Sequence, residues 1–120
     1  MKRISLLLAV GVVAAGVFFA VSPFAGARTA AQAKTNVNVT AKEYKFVLSR
    51  RTAPHGVVVF HVVNKGKLKH DFKIAGQKTT LLRPNKSATL TVRLSKGKHA
   101  YTCTVKNHAL YGMKGSFKAT

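Results

Sequence analysis

From Val37 onward the chain alternates. Val37, Val39 and Ala41 are separated by Asn38, Thr40 and Lys42, the period of two that turns one face of a β-strand to a core and the other to water. Phe46-Val47-Leu48 follows a short interruption, and Pro54-His55-Gly56 marks a turn. Val57 to Val63 is apolar and β-branched, too short and too rich in valine for a helix, and Asn64-Lys65-Gly66 ends it. Further strands are predicted over Lys69–Ala75, around Leu90, Val92 and Leu94, over His99–Val105 and over Ser116–Ala119, punctuated by Gly76, Arg83-Pro84-Asn85 and Lys96-Gly97-Lys98. Seven or so short strands, with no amphipathic helix among them, imply an all-β fold, an antiparallel sandwich.

The first residues follow another pattern. Met1-Lys2-Arg3 precedes an apolar run from Ile4 to Val21, then Ser22-Pro23 and the small-residue run Ala25-Gly26-Ala27: a positive head, an apolar middle and a small-x-small cleavage site, the order of an export signal. A second small-x-small site ends at Ala33, and the apolar run is also long enough to remain as a membrane anchor. The division expected is therefore 1–27 as signal peptide or uncleaved anchor (with 33 the alternative cut), 28–36 as a small, polar linker, and 37–120 as one domain. Such a chain works outside the cytoplasm, in the periplasm or beyond the cell, with or without a membrane tether.

Charge narrows the partners. Of the 120 residues, 21 are Lys or Arg and two are acids, Glu43 and Asp71, a net charge of +19. Only Lys2, Arg3 and Arg28 among the basic residues precede the second cleavage site. The field attracts an acidic protein or an anionic membrane or cell envelope. It does not point to nucleic acid, because the export signal argues against it and the basic residues are spread along the chain without a reading motif.

The single cysteine, Cys103, cannot form an internal disulfide in an oxidising compartment. It is followed by His108 and Met113 at equal intervals, so a thiol, an imidazole and a thioether share one loop. Soft sulfurs hold Cu(I) and imidazole accepts both oxidation states of copper, while a His₂Cys set with a weak Met describes an electron-transfer site. His70, at the head of a segment after the Asn64-Lys65-Gly66 turn, can supply the second imidazole.

These residues carry a resemblance to the cupredoxins, the blue (type 1) copper proteins. Asn64, Gly66, His70 and Phe72 reproduce the family's Asn-x-Gly-x-x-x-His-x-Phe element, and Tyr101, Cys103, His108, Met113 and Gly115 its C-terminal ligand loop. The spacing from Cys103 to His108 is similar to that of azurin, rusticyanin and the phytocyanins and unlike that of plastocyanin. The resemblance implies a Greek-key sandwich and one copper ion, with His70, Cys103 and His108 in a trigonal plane and Met113 as the long axial contact. It also implies that Asp71, where the family often has Asn, ties the two ligand-bearing segments through the Thr104 N–H; pairing with Lys69 or Lys73 is the alternative. Ala109, Leu110 and Tyr111 would form the surface on which a partner docks.

The function expected is that of an electron carrier, not an enzyme, working as a monomer with an acidic redox partner. Copper storage or delivery is the second reading, and a cationic envelope-binding module the third. His55, in the Pro54-His55-Gly56 turn, His61, which shares strand parity with Val57, Val59 and Val63, and His99, which begins the cysteine strand with the parity of Cys103, are weaker candidates as ligands.

Overall fold

The computed structural model describes Gly11, Gly16 and residues 33–120; the expected signal peptide lies outside the described residues. Nine strands form among them: β1 (Thr35–Lys42), β2 (Lys45–Leu48), β3 (Thr52–Ala53), β4 (Gly56–Asn64), β5 (Lys73–Ile74), β6 (Gln77–Lys78), β7 (Ser87–Leu94), β8 (Gly97–Thr102) and β9 (Lys114–Ala119). They make two sheets, ordered β2-β1-β4-β7 and β3-β9-β8-β5-β6. β1 opens two residues inside the stretch read as linker, because Thr35 and Asn36 already pair with Val58 and Val59.

Alternation decides which face is buried. Val37, Val39 and Ala41 of β1, Val58, Phe60 and Val62 of β4, and Leu90, Val92 and Leu94 of β7 point inward from one sheet. Ile74, Tyr101, Phe117 and Ala119 meet them from the other. Most pairings are antiparallel, but β1 runs parallel to β4 and β3 parallel to β9, pairings that alternation alone does not disclose, since it reports a strand's faces and not its neighbour.

Lys69–Ala75 is not one strand. His70, Asp71 and Phe72 are buried in succession, which a half-buried strand with its period of two cannot do. The segment leaves the ladder there: His70 exchanges backbone hydrogen bonds with Leu82 at 3.1 and 2.8 Å, and only Lys73 and Ile74 join the sheet. Phe72 anchors the departure. Its ring lies 5.2 Å from Phe46, 5.1 Å from Phe60 and 5.5 Å from Tyr101, so the residue two places after His70 is held by both sheets.

Truncating that ring removes contacts that the fixed strands cannot recover by collapse. Phe72→Ala is expected to destabilise the metal-free protein by roughly 3–5 kcal/mol, measured by urea unfolding; a loss near zero would show that the aromatic cluster does not hold this segment.

Candidate metal centre

Cys103 follows β8 and Met113 precedes β9, so the hairpin brings the two sulfur residues to one mouth. The Cys103 N–H donates to the Met113 carbonyl at 3.0 Å, and the Met113 N–H donates to the His108 carbonyl at 3.1 Å. Between them the loop turns at Asn107 and Gly112, both with positive φ, and His108 is folded back inside. At the base of the hairpin Gly115 is required for space: a Cβ there would enter the Tyr101 ring.

The other donor comes from the segment between β4 and β5, β5 being the neighbour of β8 in the same sheet, and Asn64 controls it. Its buried amide donates to the carbonyls of Leu68 (2.7 Å) and Leu82 (2.8 Å) and accepts the Gly66 N–H (2.8 Å). One side chain thus closes the turn after β4 and holds the strand segment against which His70 is paired. Asp71 then ties this segment to the cysteine loop, accepting the Thr104 N–H at 2.6 Å and the Thr104 hydroxyl on its other oxygen.

Three donor atoms converge. His70 Nδ1 and His108 Nδ1 are 3.1 Å apart, and Cys103 Sγ lies 4.0 Å from the first and 3.6 Å from the second. All three side chains are buried, as is Met113. A point equidistant from the three atoms is about 2 Å from each, the reach of metal–imidazole and metal–thiolate bonds. The set therefore fits a single metal ion, and its two imidazoles, thiol and neighbouring thioether fit copper better than a hard cation.

Protonation agrees with that fit. His70 Nε2 stands 3.1 Å from Glu43 Oε1; a carboxylate only accepts, so Nε2 carries the proton and the Nδ1 lone pair faces the cluster. His108 Nδ1 is then a hydrogen-bond donor to that lone pair when protonated and a second metal donor when not. Burial, and next the nearby His70, push the His108 pKa down, which favours the neutral ring. Burial pushes the Cys103 thiol up, so it holds its proton in the metal-free protein and would have to release it to bind an ion. Glu43 is held at about 2, chiefly by the Leu68 N–H, and stays ionised at any physiological pH.

Glu43 was not among the site residues expected from sequence. It sits in the turn between β1 and β2 and accepts the N–H groups of Lys67 and Leu68, each at 2.6 Å, on the oxygen that faces His70. A Cβ at Gly66 would collide with this carboxylate, so the glycine of the Asn64-x-Gly66 element makes room for it. The one available signal was scarcity: Glu43 is one of two acids in the chain. Its neighbour Tyr44 packs edge-on against His108 with ring centres 5.3 Å apart, and against Tyr111 at 4.9 Å.

The remaining histidines stand elsewhere. His55 Nδ1 is 2.8 Å from the Thr120 carbonyl, His61 Nε2 is 3.1 Å from Asn36 Oδ1, and His99 Nε2 is 2.6 Å from the Ser95 carbonyl. Among the described residues, His70, Cys103 and His108 are the group of such side chains able to share an ion. Outside the donors, Leu110 and Tyr111 are 83% and 64% exposed, with Ala109 half-buried beside them. On another side of His108 an open groove of about 490 Å³ is lined by Leu68, Val105 and Pro84, with Lys67, Lys69 and Arg83 around it.

Comparison with known proteins agrees with the geometry. Residues 11–116 match the family model of the cupredoxin-like domain. The chain belongs to the cupredoxin family. A search of curated proteins found no match to it. Among solved structures this cupredoxin is similar to the dithionite-reduced auracyanin of Roseiflexus castenholzii (18% identity over 72% of this chain and 97% of that one, TM-score 0.64). It is also similar to reduced rusticyanin (18%, covering 72% and 79%, TM-score 0.61). A third is auracyanin A of Chloroflexus aurantiacus, described as a "blue" copper protein (14%, covering 73% and 100%, TM-score 0.59). At these identities the likeness is one of fold.

The hold of Asn64 on the His70 segment has a measurable size. Asn64→Ala strands the Gly66 N–H and removes one partner each from the Leu68 and Leu82 carbonyls, and is expected to destabilise the metal-free protein by about 2–4 kcal/mol. Thermal or urea unfolding checks it, and an unchanged midpoint would mean that the turn holds without its amide.

Proposed function

We propose that this cupredoxin is an exported electron carrier that binds one copper ion through His70, Cys103, His108 and Met113. The observation that carries the reading is the convergence of His70 Nδ1, His108 Nδ1 and Cys103 Sγ within 4.8 Å in a buried pocket. When bound, copper supplies a one-electron Cu(I)/Cu(II) couple. The protein's part is to keep the donors still. Hydrogen bonds accepted by Glu43 and Asp71 and donated by Asn64, with the packing of Phe72, hold the two ligand-bearing segments in one geometry, so a change of charge at the centre requires little rearrangement.

Burial of all four side chains supports a carrier over a delivery protein, for which the metal must leave readily. Both carboxylate side chains of the chain are engaged in hydrogen bonds beside the donors, which supports transfer of electrons over acid–base chemistry. Residues 1–27 are read as the export segment, cleaved or retained as an anchor.

His108 stands between the donor cluster and the outside. An electron passing to a partner docked on Ala109, Leu110 and Tyr111 crosses that imidazole. The apolar tip is small, as suits brief redox contacts. Lysines and arginines around it would orient an acidic partner before contact.

Reconstitution with Cu(II) is expected to give an intense visible thiolate-to-copper band, absent in Cys103→Ser, whose fold by circular dichroism stays as it was. A serine variant with the same band would refute the ligand set. For docking, the rate of electron exchange with an anionic donor should fall steeply as salt rises from low ionic strength, by ~10-fold or more, and rise with a cationic donor of similar driving force. The same flat dependence for both donors would assign the charge to tethering on an anionic envelope instead.

A further inference from the structure

Both acids of a chain with 21 basic residues lie against the donor cluster. Chance placement would put such rare groups anywhere on the surface, and Asp71 has a structural task in joining two segments. Glu43 has a different one. Its Oε1 receives three donors: the Lys67 N–H, the Leu68 N–H and His70 Nε2–H. The two backbone groups fix the oxygen, and the oxygen fixes the ring. His70 is thereby clamped between Glu43 at one nitrogen and the cluster at the other.

We propose that Glu43 is the positioning residue of His70, selecting the tautomer whose Nδ1 is free to bind metal, and that its negative charge holds the reduction potential of the centre down. The inference rests on the copper reading above. A histidine that binds metal through one nitrogen commonly gives its other N–H to an oxygen acceptor, and a carboxylate makes the ring the stronger donor. The charge also has a sign. Cu(II) with the thiolate is one unit more positive than Cu(I), so an anion one imidazole away stabilises the oxidised form, while the surrounding lysines and arginines favour the reduced one. Glu43 opposes that cationic field at the place where opposition is strongest, next to a ligand.

Two substitutions separate position from charge. Glu43→Gln keeps an oxygen acceptor and removes the charge; Glu43→Ala removes both. In the full chain loaded with copper, E43Q should lower the preference for Cu(II) over Cu(I) about tenfold, which is a potential about 59 mV higher for a one-electron couple. In the metal-free protein its His70 should keep the Nε2–H tautomer, read from the ring nitrogen shifts by NMR. E43A should raise the potential, let the Nδ1–H tautomer of His70 appear, and weaken Cu(II) binding by roughly 10–100-fold.

An unchanged potential in E43Q overturns the electrostatic part, and an unchanged tautomer in E43A overturns the positioning part. Should E43A fail to fold, E43Q still decides the charge, and a shift of its His70 ring nitrogens relative to the wild type decides the contact, identical shifts refuting it. A wild-type chain that takes up no copper overturns the copper reading instead, and the tautomer measurement, made without metal, still decides whether Glu43 governs His70.

Discussion

The bond from the Thr104 N–H to Asp71 joins the two stretches of chain that carry the donors. At 2.6 Å, with the Thr104 hydroxyl on the other carboxylate oxygen, it spans 33 residues of sequence and sets His70 beside Cys103. Everything at the centre depends on that distance. Asn64 positions the His70 segment from below, Phe72 pins it to both sheets, and the β8–β9 hairpin delivers Cys103 and Met113 together. Phe72 and the β5–β8 pairing also bridge the two sides, and the Asp71–Thr104 contact joins them next to the donors themselves. Its charge-assisted character suits the task, since such bonds are shorter and stronger than neutral ones.

How much of this could be read beforehand depended on distance along the chain. Cys103, His108 and Met113 lie in one loop, and their softness speaks for itself. The faces of β1, β4 and β7 were legible because alternation records burial directly. The strand expected over Lys69–Ala75 was not there, because three consecutive buried residues, His70, Asp71 and Phe72, serve three different neighbours: a donor cluster, the Thr104 backbone and an aromatic core. A local pattern cannot announce that. Glu43 was hidden for the same reason. Its partner is 27 residues away, and beyond the scarcity of acids the contact leaves its trace in a glycine, Gly66, whose missing side chain makes space for the carboxylate.

The division of charge follows a simple rule. Among the described residues the lysines and arginines are exposed, where water and ions screen them, whereas Asp71 is buried and Glu43, with its side chain 28% exposed, touches the His70 ring. The large positive total therefore describes what an approaching molecule meets at a distance, whereas the local environment of His70 and Cys103 is set by two carboxylates. The two scales can be adjusted separately: changing an exposed lysine such as Lys114 alters the approach, and changing Glu43 or Asp71 alters the centre.

β1 also gives the molecule a polarity. The strand starts at Thr35 and runs for eight residues to Lys42, about 26 Å at the rise of an extended chain, and its far end delivers Glu43 and Tyr44 to the donor cluster. The start of β1 and the donor cluster are thus at opposite poles. Whatever holds the chain ahead of Thr35 therefore acts on the pole away from the donors, and the His108 end is the one left to meet a partner.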